Sequence, residues 1–176
     1  MRIVSGTHRG RHIYPPKNFR ARPTTDFAKE SLFNILSNHF DFEEIEVLDL
    51  FSGTGSIAYE FASRGTRAVT AIEKDEIHSR FIGKTIRELG LEQVSVIRGD
   101  AFLFLNKPLQ SYDIIFADPP YDHENLSQLP DMVFGTSILA EGGWFILEHS
   151  GRISFTAHPR FLQHRQYGGV KFSVFR

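Results

Sequence analysis

The chain has 176 residues, of which 41% are hydrophobic and 23% charged, the composition of one soluble globular domain with a full core. It has no cysteine, which excludes disulfides, Cys-ligated zinc and iron–sulfur clusters, and its eight histidines show no metal-ligand spacing, so no metal is assigned. A net charge of −1 conceals an arm of +6 (Arg2, Arg9, Arg11, Lys17, Arg20 and Arg22, with no acid before Asp26) on an acidic body. With no run of eighteen apolar residues and no signal peptide, the reading is a cytoplasmic protein.

In chain order, residues 1–23 read as short strands and turns punctuated by Gly6, Gly10 and Pro15-Pro16, a basic N-terminal appendage for nucleic acid. His8, His12, Tyr14 and Phe19 lie among its cations and offer rings on which bases stack. Residues 24–176 form the main domain. Thr24 or Thr25 caps a helix with Asp26 in its first turn and a stripe of Ala28, Leu32, Ile35, Leu36 and Phe40. A short apolar strand, 47–51, runs into Ser52-Gly53-Thr54-Gly55 and a helix that Gly65 ends. A second strand, 68–72, terminates in Glu73; a helix stopped by Gly90 and a third strand, 94–97, follow, with Asp100 just beyond.

The fourth strand, 112–117, closes on Asp118-Pro119-Pro120-Tyr121. A helical stretch is expected around 132–139, then a Gly142-Gly143 turn leading into Trp144-Phe145-Ile146-Leu147-Glu148. A hairpin around Gly168-Gly169 ends the chain. Strands alternating with helices predict an α/β fold with a mostly parallel sheet, the hairpin adding an antiparallel edge.

Four acids (Asp49, Glu73, Asp100, Asp118) stand at successive strand ends and mark one edge of that sheet, where open α/β sheets bind ligands. Gly53 and Gly55 let the backbone approach a ligand, and Glu73 lies 20 residues beyond Gly53, the position from which an acid bonds ribose hydroxyls. The same glycine pattern marks dinucleotide sites, but Asp49 is a poor neighbour for a pyrophosphate and a good one for an ammonium or sulfonium. At Asp118 the prolines offer no N–H. A carboxylate, loop carbonyls and an aromatic ring remain, a set that suits the exocyclic amine of a nucleobase.

These motifs resemble those of class I S-adenosylmethionine-dependent amino-methyltransferases. The similarity extends to the RsmD family of bacterial 16S ribosomal RNA guanine-N2 methyltransferases. It rests on Arg2-Ile3-Val4-Ser5-Gly6, Arg9-Gly10-Arg11, Arg22-Pro23-Thr24-Thr25-Asp26, Leu32-Phe33-Asn34-Ile35-Leu36, Leu48 to Gly55, Ser63-Arg64-Gly65 and Asp118 to Tyr121. Phe27 and Lys29 stand where the family usually has Arg, and Thr85 where Asn is common.

The resemblance implies a seven-stranded Rossmann-like sheet. It implies an S-adenosylmethionine site lined by Asp49, Phe51, Gly53, Gly55, Glu73, Asp100, Ala101 and Phe102, with S-adenosylhomocysteine as product. Asp118, Pro119 and Tyr121 would hold the guanine. Arg9, Arg11, Arg20, Arg22 and Thr24 would contact ribosomal RNA, within a small subunit or its assembly intermediate, and the protein would act as a monomer. Adenine-N6 methylation of DNA and a non-catalytic RNA-binding protein on the same fold are the alternatives.

Overall fold

A computed structural model describes residues 1–16, 19, 24–106 and 110–176. Seven strands form one sheet: β1 (Glu46–Leu50), β2 (Ala68–Glu73), β3 (Val94–Arg98), β4 (Tyr112–Ala117), β5 (Leu139–His149), β6 (Phe161–Tyr167) and β7 (Val170–Phe175). Their order is β3-β2-β1-β4-β5-β7-β6. The first five are parallel, and β7 runs antiparallel between β5 and β6. The predicted mostly parallel seven-stranded sheet with an antiparallel hairpin is therefore the observed one. The order reverses between β1 and β4, and the crevice of an open α/β sheet forms outside the carboxyl ends of the strands at such a point.

The helices are α1 (Asp26–Leu36), α2 (Ser56–Ser63), α3 (Glu76–Leu89), α4 (Ala101–Leu105) and α5 (Leu129–Phe134). Thr25, not Thr24, caps α1, its hydroxyl accepting from the Ala28 N–H at 3.2 Å. Asp75 caps α3 by accepting from the Ile77 and His78 N–H groups. One core packs α1 and α2 on the sheet through Phe33, Phe61 and Phe116; the other packs α4 and α5 on the opposite face through Leu105, Leu129 and Phe145.

Two expectations need correction. The helix expected around 132–139 ends at Phe134, and Leu139 already belongs to β5. Gly142-Gly143 is a bulge inside that strand: β5 pairs Leu139 with Tyr112 and Trp144 with Ile114, so five residues on one side match two on the other. Gly142 has φ +77, the left-handed conformation that reads as a turn in the sequence.

The N-terminal segment is also not an appendage over its first 13 residues. Ile3 and Ile13 are buried in the α1/α2 core, and Arg2 bridges His12 in an antiparallel pair. The segment is fastened to α2 by Glu60, which is fully buried and accepts from the Val4 and Ser5 N–H groups at 2.8 and 3.0 Å. Lys29 (3.5 Å) and Arg64 (2.9 Å) neutralise Glu60. Burial holds the Lys29 ammonium below its ordinary pKa, and Glu60 opposes that shift. Removing one partner from such a buried group typically costs about 3–5 kcal/mol. At Gly6 (φ +81) a Cβ would stand 1.8 Å from the Ser63 carbonyl oxygen, so only glycine lets the segment turn against the end of α2.

Candidate active site

One cleft of about 1520 Å³ opens at the carboxyl ends of β1 to β5. It brings together every residue expected to act in catalysis and, Gly55 excepted, every residue expected to bind the cofactor. On one side lies the loop after β1. Phe51 adopts φ +62, rare for a bulky residue, and Gly53 (φ 54) and Gly55 (φ 78) share the left-handed region. Gly55 has a structural role: a Cβ there would stand 2.5 Å from the Tyr59 ring, so its absence lets α2 begin on top of a buried tyrosine. The loop's shape is thus held from beneath.

The carboxylates on this side are engaged with the protein. Glu73 accepts from the Gly53 N–H and the Asp75 N–H, both at 2.7 Å, tying the glycine loop to the start of α3. Asp100 caps α4 through the Phe102 and Leu103 N–H groups and pairs with Lys74 at 2.9 Å; the Lys74 ammonium holds its carboxyl below the usual range. Ala101 and Phe102 open α4 along the cleft wall, with the Phe102 ring stacked on His123 (4.5 Å between centroids) and edge-on to Phe51. Asp49 lies beneath, fully buried, and its Oδ2 has no hydrogen-bond partner among the described residues. Burial pushes its carboxyl up to about 8. A buried, unsatisfied carboxyl oxygen at the floor of the cleft fits a cationic group.

On the other side stands Asp118. The β4–β5 register pairs Ala117 with Leu147, so Asp118 and Glu148 are the next residues on adjacent strands, whose backbones run roughly 4.8 Å apart. Burial pushes the Asp118 carboxyl well above the usual range, and the neighbouring Glu148 and Asp49 carboxylates push it further. Glu148 is buried and also shifted up by burial, while two hydroxyls hold it in place: Thr24 donates to Oε2 at 2.9 Å and Tyr121 to Oε1 at 3.0 Å. Pro119 is buried, whereas Tyr121 is half exposed at the rim.

Sequence reasoning missed Glu148 as a site residue. The signal was present, since it lies one residue before the end of β5, much as Glu73 ends β2. Thr24, expected among the RNA contacts, is buried and serves Glu148 instead. Lys29 and Thr85 are likewise buried, while Phe27 lies exposed at the cleft mouth, edge-on to Tyr167. Phe19 stacks on His78 of α3 at 4.1 Å. Arg20 and Arg22 lie outside the described residues. Arg9 and Arg11 are exposed, but on the turn that the Ser63 and Leu89 carbonyls hold at the far ends of α2 and α3. The turn meets the Leu89 end of α3, whereas the cleft is lined by that helix's first residues up to Arg80, so roughly 13 Å of helix at 1.5 Å per residue separates them. No cluster of three or more acidic, histidine or cysteine side chains suited to a metal occurs among the described residues.

The sheet order, the glycine loop on β1 and the acidic loop on β4 define a Rossmann-like class I methyltransferase fold. More narrowly, the chain belongs to the RsmD family: the family model described as Conserved hypothetical protein 95 matches residues 1–176. The "Ribosomal RNA small subunit methyltransferase D" of Buchnera aphidicola subsp. Baizongia pistaciae is 32% identical over 159 residues, 90% of this chain and 81% of that protein. The solved structure of a putative methyltransferase, yhhF, from Escherichia coli superposes with a TM-score of 0.86 at 27% identity, covering 99% of this chain and 96% of that one. A putative methyltransferase solved in complex with SAH shares the fold, with a TM-score of 0.67 at 17% identity over 83% of this chain and 48% of the other.

Proposed function

We propose that this protein transfers a methyl group from S-adenosylmethionine to the N2 amine of a guanine in small-subunit ribosomal RNA. The observation that carries this reading is a single cleft with a braced glycine loop and unsatisfied Asp49 on one wall and Asp118 on the other. The RNA class follows the printed name of the 32% identical relative. Asp49, Phe51, Gly53, Gly55, Glu73, Asp100, Ala101 and Phe102 are the residues to hold the cofactor; of these, Asp49 fits its positive charge, and Glu73 retains lone pairs for ribose hydroxyls. When bound, the cofactor supplies an electrophilic methyl on a sulfonium.

The remaining work falls to this chain. The guanine amine is a poor nucleophile because its lone pair is delocalised into the ring. Asp118 and the Pro119 carbonyl accept its two hydrogens and leave the nitrogen lone pair facing the methyl. As the N–C bond forms and the C–S bond breaks, the amine's proton becomes acidic and passes to the Asp118 carboxylate, then to solvent. A carboxyl raised well above its usual range is better matched to that proton than an ordinary aspartate. Orientation in the cleft contributes on the order of 7–11 kcal/mol in well-aligned cases. Tyr121 at the rim offers a ring for an extruded base. The reading includes a cytoplasmic monomer acting on a small subunit or its assembly intermediate. Mass spectrometry of ribosomal RNA nucleosides after incubation with protein and S-adenosylmethionine tests it: N2-methylguanosine is expected, and its absence overturns the assignment.

A further inference from the structure

We propose that Glu148 selects guanine over adenine by accepting the hydrogen on guanine N1 while Asp118 accepts one on N2. The inference rests on the guanine-N2 reading above and assigns a residue to its specificity. An acidic Asp-Pro-Pro-Tyr loop alone recognises an exocyclic amine, which adenine also carries. The two bases differ in the ring atom beside the amine. Guanine N1 bears a hydrogen and donates; adenine N1 bears a lone pair and accepts.

The structure puts a second carboxylate beside Asp118. Glu148 follows Leu147, the register partner of Ala117, and so stands beside Asp118 on the cleft wall. Its side chain is only 3% exposed and its orientation is fixed from two sides, by Thr24 at 2.9 Å and Tyr121 at 3.0 Å. These hydroxyls use one lone pair on each oxygen, and a carboxylate has about four such positions. The remaining ones are acceptors. A purine whose N2–H meets Asp118 therefore meets a second acceptor along the same edge. Guanine satisfies both with N2–H and N1–H. Adenine, docked by its amine, would set its N1 lone pair against a carboxylate in a desolvated site, where an unpaired polar contact is expensive.

The test uses Glu148→Gln, which keeps the side chain's size and can still bond both hydroxyls, since a hydroxyl accepts as well as donates. Its amide can donate to a ring nitrogen. The methylated nucleotide, located by mass spectrometry in small-subunit ribosomal RNA, is replaced by 2-aminopurine in a ligated transcript. That base keeps the N2 amine and turns N1 into an acceptor. The intrinsic reactivities of the two amines are common to both enzymes, so the change in the guanine to 2-aminopurine ratio of kcat/KM isolates Glu148. The wild type should favour guanine strongly, and Glu148→Gln should lower that ratio by roughly 10–150-fold, the range for one hydrogen bond to a charged group. A merely structural role would depress both substrates alike, and an unchanged ratio overturns the inference. If the variant is too slow with both RNAs, equilibrium competition between them in the presence of S-adenosylhomocysteine reads the same preference without turnover. Equal competition for the wild type overturns the inference too. Failure of the wild type to produce N2-methylguanosine overturns the functional reading itself, a result distinct from either of these.

Discussion

On the β2–β3 side of the cleft the carboxylates are already in use. Glu73 binds two backbone N–H groups and Asp100 binds a helix terminus and Lys74. On the β4–β5 side two acids stand side by side, both shifted up by burial, with Glu148 held by the Thr24 and Tyr121 hydroxyls. The first arrangement is preassembled: its charges shape the loop that a cofactor meets. The second is underneutralised, and two like charges at that spacing resist joint ionisation until a ligand supplies donors to both. Such a site gains most from a ligand that brings hydrogen-bond donors, which is what the edge of a guanine offers. Replacing one residue at a time should separate the halves by phenotype.

The largest effect is expected at Asp118. Asp118→Ala should lower single-turnover methylation by about 10²–10³, the scale for losing one well-placed electrostatic contact, while S-adenosylmethionine affinity stays within about threefold. Loss of cofactor binding in the same variant would break the division into halves. In the wild type the rate should fall on acidification as Asp118 protonates, since protonation removes the acceptor; a rate insensitive to acidification would contradict that role.

Asp49→Asn should trade binding for stability. The folded-state carboxyl titrates at about 8 against an ordinary 3.8, so the native protein holds a proton that the unfolded chain has released. Folding stability therefore declines as pH rises across that window, by up to a few kcal/mol. Asparagine cannot ionise, so the variant's Tm should match the wild type near pH 4 and exceed it increasingly toward pH 8, with cofactor affinity reduced. Parallel Tm–pH curves would show that Asp49 does not titrate there.

On the preassembled side, Glu73→Ala removes the brace on the Gly53 and Asp75 N–H groups as well as the ribose contact proposed above. Calorimetry should show cofactor binding weakened by about 1.5–3 kcal/mol or somewhat more, with the pH dependence of turnover unchanged. Wild-type affinity in this variant would leave Glu73 with its structural brace alone.

What was legible in the sequence was local. The buried strand before Asp118, the glycine loop and the acids at or near the ends of the first four strands each occupy a few consecutive residues, and alternation of strand and helix fixes which edge they share. The remainder depends on contacts between distant residues. The Thr24–Glu148 hydrogen bond spans 124 positions, and Glu148 joins Asp118 only through the β4–β5 register. Likewise, Arg9 and Arg11 read as part of one basic arm, but Gly6 against Ser63 and Glu60 against Val4 and Ser5 lay that arm along α2, away from the cleft. Gly142-Gly143 looked like a turn because its conformational signal is identical in a bulge.

The smallest effect is expected at the hydroxyl of Tyr121. Composition suggests only a stacking ring, for which Tyr121→Phe would be silent. The hydroxyl, however, donates to Glu148 Oε1, a bond that stabilises the ionised form. Without it the Glu148 carboxyl should rise further, and a protonated Glu148 loses an acceptor that the base needs. At neutral pH, kcat/KM should fall by about 2–12-fold, equivalent to one ordinary hydrogen bond of 0.5–1.5 kcal/mol, and much of the loss should return as the pH is raised and the acid ionises again. Tyr121→Ala should lose more, and at every pH, because it removes the ring as well. The discriminating measurement is the pH–rate profile of both variants. A Phe variant that tracks the wild type throughout would remove the hydroxyl from the substrate half. A Phe variant as poor as Ala, with no recovery at high pH, would mean that the ring contributes nothing and that Glu148 is held by that one bond.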